Sequence, residues 1–152
     1  MAVKQVLADE NPILRKKSHP VVEVNKEIIK LLDDMYETMV DYNGIGLAAP
    51  QIGVLKRVIV IQVGDELPKI ELINPKIENA TGEEADLEGC LSVPGVYGEV
   101  KRAEEVTVSG VNRVGKNIKF NAKGMLARAI QHEIDHLDGI IFTDKVDKLI
   151  EG

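Results

Sequence analysis

Apolar positions along the chain fall into two rhythms. Ile28, Leu32, Met35, Met39 and Tyr42 recur at three- and four-residue intervals, which predicts a helix with one apolar face, capped by Asn25 and ended at Asn43-Gly44. Residues 57–63 (RVIVIQV) form instead a dense β-branched run of strand length, and 70–74, 106–111 and 117–120 read as further short strands separated by Gly, Asn and Pro. Most gaps between them are turn-sized, too short for the crossover that parallel strands need, so antiparallel pairing is expected. The last strong element is a helix over 125–138, set between Gly124 and Gly139. Leu126, Ile130, Ile134 and Leu137 make its apolar stripe, while Met125, Ala129, His132 and His136 line up on an adjacent face. Asp135 and Asp138 sit in its last turns, where the helix dipole disfavours negative charge, and such a broken local rule points toward function. The pattern predicts an α+β fold: short, mostly antiparallel sheets wrapped around a central histidine-bearing helix, with an N-terminal helix outside.

Composition narrows the picture. A chain of 152 residues that is 44% hydrophobic suits one domain over 1–152, and no repeat or long Pro/Gly/Ser linker divides it. The formal net charge of −6 argues against binding bulk nucleic acid or an anionic membrane, and the 3% aromatic content leaves few base-stacking surfaces. No apolar run approaches the roughly 20 residues of a membrane span, and the N-terminus lacks a secretory pattern, so a cytoplasmic address is expected. With one cysteine, Cys90, the chain forms no internal disulfide; the thiol is core, reactive or a metal ligand.

His132-Glu133-Ile134-Asp135-His136 is an H-E-x-x-H array, whose spacing on a helix aims both imidazoles at one point, and Glu133 can reach a water bound to an ion there. A third ligand must complete the site. No histidine follows His136; Asp138 is too near on the same helix, and Asp144 or Asp147 would require the chain to double back. Cys90, in Glu88-Gly89-Cys90-Leu91-Ser92, is the better candidate, since a thiolate is a soft ligand for zinc or ferrous iron. Gly44-Ile45-Gly46-Leu47-Ala48-Ala49-Pro50-Gln51 meets neither the dinucleotide nor the P-loop fingerprint; by itself it reads as a helix terminus and turn, where backbone can approach a ligand closely.

Together the stretches at 44–51, 88–92 and 131–136 resemble, in order and spacing, the three signature motifs of the peptide deformylases, and the resemblance spans nearly the whole chain. It implies a metal held by Cys90, His132 and His136, physiologically Fe(II), with Zn, Ni or Co able to replace it. It also implies Glu133 as general base and then acid, and an oxyanion stabilised by the Gln51 side chain and the Leu91 backbone N–H. The reaction implied is hydrolysis of the formyl group from the N-terminal formyl-methionine of nascent chains, with formate released. Ile45, Gly46 and Gly89 would pair with the peptide backbone, and Met125 and Ala129 would border the methionine pocket. Two features depart from some members: Tyr97 stands near a position where those carry an arginine, and the segment 145–152 is short where others continue as a ribosome-contacting basic helix. Transient ribosome association is an expectation of the same resemblance.

Arg102, Glu88 and Asp135 could form a charged shell around the ligands, or Arg102 could be an exposed surface arginine. Two other classes compete: a small metallopeptidase with a downstream third ligand, and a non-enzymatic zinc module closed by Cys90, His132, His136 and His19.

Overall fold

The computed structural model describes residues 2–151, with side chains described to residue 146. Its elements in order are α1 (Lys26–Asp41), β1 (Gly46–Ala48), β2 (Val58–Ile61), β3 (Ile70–Thr81), β4 (Glu84–Cys90), β5 (Val93–Arg102), β6 (Glu105–Val111), β7 (Asn117–Lys123), α2 (Gly124–Leu137) and β8 (Val146–Glu151). A five-stranded sheet has the order β1-β2-β3-β6-β7 and a three-stranded sheet the order β4-β5-β8, with every ladder between them antiparallel. This is the α+β arrangement that the hydrophobic pattern predicts.

The β2 sequence Val-Ile-Val-Ile explains why a helix lies on each face of the larger sheet. Successive side chains point to opposite faces. Val58 and Val60 join Ile28, Leu32, Met35 and Met39 of α1, while Ile59 and Ile61 join Ala127, Ile130, Ile134 and Leu137 of α2. A third cluster, Leu14, Val93, Val100, Ile141 and Phe142, packs against the smaller sheet. Helix α1 begins as expected, with the Asn25 side chain accepting from Ile28 N at 3.1 Å.

Three features differ from the sequence expectation. β3 continues seven residues beyond Asn74, bending through irregular pairing with β6. The β4–β5 hairpin is too rich in Glu, Asp and Lys to carry an apolar signal, since much of its surface is exposed. Residues 44–51 are not merely a helix terminus and turn: they include strand β1 and a 3-10 turn over Ala49–Ile52. The N-terminal segment then straps both site loops from outside, through Leu7 N to Gln51 O at 2.7 Å and Asp9 N to Ser92 O at 2.9 Å. No helix among the described residues is long and apolar enough to cross a membrane.

Because Ile59 is fully buried between the sheet and α2, Ile59→Ala should cost about 2–5 kcal/mol. Val22, fully exposed, should tolerate alanine within about 0.5 kcal/mol. Urea unfolding of the two variants checks both figures.

Candidate metal centre

Helix α2 delivers His132 and His136 one turn apart, with ring centroids separated by 5.1 Å, and the end of β4 delivers Cys90. Cys90 Sγ lies 3.3 Å from His136 Nε2, and one donor atom from each of the three residues falls within 4.8 Å of the others. Tetrahedral coordination by thiolate and imidazole separates sulfur from nitrogen by about 3.5 Å, so the donor set fits a divalent ion. His132 Nδ1 lies 2.9 Å from Glu88 Oε1, which makes Nδ1 the protonated nitrogen and leaves Nε2 for a metal. Glu133 Oε1 is buried without a hydrogen-bond partner from the protein, which suits a centre completed by a further bound group.

The two small residues of Gly44-Ile45-Gly46 acquire a specific purpose. A Cβ on Gly46 would stand 2.6 Å from Glu133 Oε2, and one on Gly44 would stand 2.7 Å from the Leu91 side chain. Only glycine lets the Glu133 carboxylate and the Leu91 side chain pack this close to the backbone of this segment. Gly89 likewise lies against the Tyr97 ring, and a Cβ there would stand 2.8 Å from Tyr97 Cε1. Ile45, Gly46, Gln51, Gly89, Cys90, Leu91, Met125, Ala129, His132 and Glu133 all border one cavity of about 720 Å³, with Tyr97 on its wall. Every site residue expected from sequence except His136, which lies buried behind the cavity, is thus on its lining.

His19 is exposed and stands outside the Cys90, His132, His136 cluster, so the closed four-ligand zinc site is not what the described residues form. Asp138 bonds Arg57 at 3.0 Å and Asp144 bonds Arg15 at 2.5 Å, so neither serves as a third ligand; the Asp147 side chain lies outside the described residues. Arg102 is not an exposed surface arginine. It is buried, grips Glu88 through Nε at 2.7 Å and a second nitrogen at 2.9 Å, and reaches Asp135 at 2.6 Å. Asp135, unfavourable to the helix dipole, is compensated by Arg102 and by Lys145 at 3.0 Å. Arg128 was not foreseeable: it reads as an exposed helix residue, yet it is buried and bonds Glu88 Oε2 at 2.6 Å and the carbonyls of Val100 and Glu84. Ser92 is also buried, and its hydroxyl accepts from Gln51 Nε2 at 3.1 Å.

Charge is unevenly held here. Burial alone would raise the Glu88 carboxyl, but the Arg102 fork and His132 outweigh it and lower its pKa to about 2. Burial raises the pKa of Glu133 to about 7, against the attraction of His132. Burial also opposes charge on His132, but Glu133, Cys90 and Glu88 prevail and raise its pKa to about 10; burial and the neighbouring His132 lower that of His136. A site that draws a proton this strongly is one whose anionic groups call for a cation, and a metal ion and that proton compete for it.

The family model described as "Polypeptide deformylase" matches residues 3–151. The chain belongs to the polypeptide deformylase family. It is 58% identical to the peptide deformylase of Carboxydothermus hydrogenoformans over 99% of this chain and 97% of that one. It is 51% identical to peptide deformylase 1 of Bacillus subtilis over 97% and 92% of the respective chains. The crystal structure of a peptide deformylase from Legionella pneumophila superposes with a TM-score of 0.93 at 44% identity, covering 96% of this chain and 87% of that one. Polypeptide deformylases are metalloenzymes that remove the N-formyl group from nascent peptides, and in this chain Cys90, His132 and His136 form a cluster whose donor atoms could hold a metal ion.

The raised pKa of His132 has a sign that stability measurements can read. In the metal-free deformylase, protonated His132 contributes stability that is fully present below its ordinary value of 6.5 and is lost as pH rises through about 10. Metal-free protein should therefore lose more stability between those pH values than the metal-free His132→Asn variant does. Urea midpoints for the pair decide it, and equal losses would show that His132 carries no such proton.

Proposed function

We propose that this chain, as one metallohydrolase domain, removes the formyl group from formyl-methionyl nascent peptides, with Cys90, His132 and His136 holding the metal and Glu133 carrying the proton. The observation that supports this most directly is the placement of Glu133: packed on Gly46 and buried beside the three ligands, with one carboxylate oxygen left without a protein partner, where it can take a proton from water and pass it on. The thiolate and two imidazoles suit Fe(II), and also Zn, Ni or Co; we take Fe(II) as the physiological ion. Such an ion supplies Lewis acidity, lowering the pKa of water and polarising the formyl carbonyl.

The protein's own groups do the rest. Glu133 accepts a proton from the attacking water, an oxyanion develops on the formyl oxygen, and the Gln51 side-chain N–H and the Leu91 backbone N–H donate to it. That charge is absent from the substrate, so donors fixed in advance lower the barrier rather than merely tightening binding. Glu133 then passes its proton to the departing amine as the C–N bond breaks, giving formate and a free N-terminus.

The peptide has a place to lie. β1 and β4 are edge strands of their two sheets, and both border the cavity. Because the Ile45 carbonyl is taken by Gln62 N at 2.8 Å, the alternation of an antiparallel ladder turns the Gly46 amide and carbonyl outward. An extended peptide can pair with Gly46 there and with Gly89 on the opposite side, as an added strand does. Ile45 offers its half-exposed side chain, and Met125 and Ala129 border the pocket for the methionine side chain.

Formate release from a formyl-methionyl dipeptide by anaerobically prepared protein tests this reading. The parent should turn over, and Glu133→Ala at equal metal content should fall by at least about a hundredfold; a metal-loaded parent without activity would sink it. Ala129→Trp should raise KM for the same dipeptide, and an unchanged KM would put the methionine pocket elsewhere.

A further inference from the structure

Gln51 and Ser92 come from different loops and meet in the interior. Both are fully buried, and three hydrogen bonds define the carboxamide between them: Ala48 N donates to Oε1 at 2.9 Å, Nε2 donates to Ser92 Oγ at 3.1 Å, and Nε2 lies 3.5 Å from Cys90 Sγ. A carboxamide has one carbonyl oxygen and two N–H donors. The Ala48 amide can only donate, so it fixes which end of the Gln51 side chain is oxygen. One N–H is then committed to the Ser92 hydroxyl, and planarity aims the other elsewhere, toward Cys90 and the ligand cluster.

We propose that Ser92 is a positioning residue for Gln51: by holding one N–H of the carboxamide, it keeps the second on the Cys90 side, 3.5 Å from the thiol, from where it turns to the oxyanion as charge develops. This rests on the reading of Gln51 as an oxyanion donor. Ser92 is well placed for the task because it shares a turn with the ligand Cys90, so donor and metal site are referenced to the same few atoms of backbone. The N-terminal strap braces the arrangement from behind, bonding the backbone carbonyls of both Gln51 and Ser92 through Leu7 N and Asp9 N. Without the hydroxyl, Gln51 keeps its tie to Ala48 but loses the one that orients the donor end, and preorganisation is what such a donor contributes.

A double-mutant cycle with the metal-loaded enzyme tests the proposal. Gln51→Ala, Ser92→Ala and the double variant are compared with the parent for kcat and KM on a formyl-methionyl dipeptide, with metal content and thermal midpoint recorded for each. Ser92→Ala should lower kcat by about fivefold to tenfold, the effect of one neutral hydrogen bond, with KM and metal content unchanged. In the Gln51→Ala background the same substitution should do nothing more. An equal loss in both backgrounds, a loss traced to metal content, or an unchanged kcat for Ser92→Ala overturns the positioning role. A Gln51→Ala enzyme as fast as the parent overturns instead the oxyanion reading on which it rests. If Ser92→Ala yields no folded protein, Ser92→Gly is put through the same cycle, under the same criteria.

Discussion

Glu88 is a carboxylate set where an unpaired charge would cost several kcal/mol, and it is tolerated because Arg102, Arg128 and His132 all converge on it. Those partners belong to separate parts of the fold. Arg102 ends β5, Arg128 and His132 lie on α2, and Glu88 sits on β4 two residues before Cys90. The network therefore clamps the smaller sheet onto the helix that carries the imidazoles, and fixes the ring of His132 in the same stroke. Removing Glu88 would leave Arg102 and Arg128 buried without their shared carboxylate, so the placement of the His132 ring and the docking of the hairpin depend on the same group.

Around this clamp the chemistry divides by environment. Glu88 is held ionised by the Arg102 fork and by His132, whereas burial raises the pKa of the equally buried Glu133, one residue from His132, to about 7. Two carboxyl groups of similar intrinsic acidity are thus held in different states, one as a permanent anion and one able, on the proposed mechanism, to carry a proton. Glycine makes the second role geometrically available, since any side chain at position 46 would occupy the space of the Glu133 carboxylate.

Much of this is legible in the sequence where periodicity or spacing carries it. The α1 face, the β2 run and the histidine helix announce themselves through apolar repeats of the right period, and H-E-x-x-H with Cys90 marks the side chains that the fold gathers into one cluster. The β4–β5 hairpin is silent because it is held by charged side chains and by backbone pairing, neither of which leaves an apolar trace. Arg128 and Ser92 are illegible for a related reason: a polar residue on a helix or turn looks solvent-facing until the fold supplies buried partners. Asp135 is the exception that carries a signal, because its conflict with the helix dipole anticipates the cation that neutralises it.

The two edge strands that border the cavity, β1 and β4, have a consequence in time. A slot between strand edges recognises backbone that is extended and has free amides and carbonyls, whatever its side chains. A polypeptide whose first residues have entered a helix or a sheet of its own has already spent those groups. On the binding mode proposed above, processing at such a slot is a race against the substrate's own folding, and a chain that folds from its N-terminus early has the shorter window in which to be served.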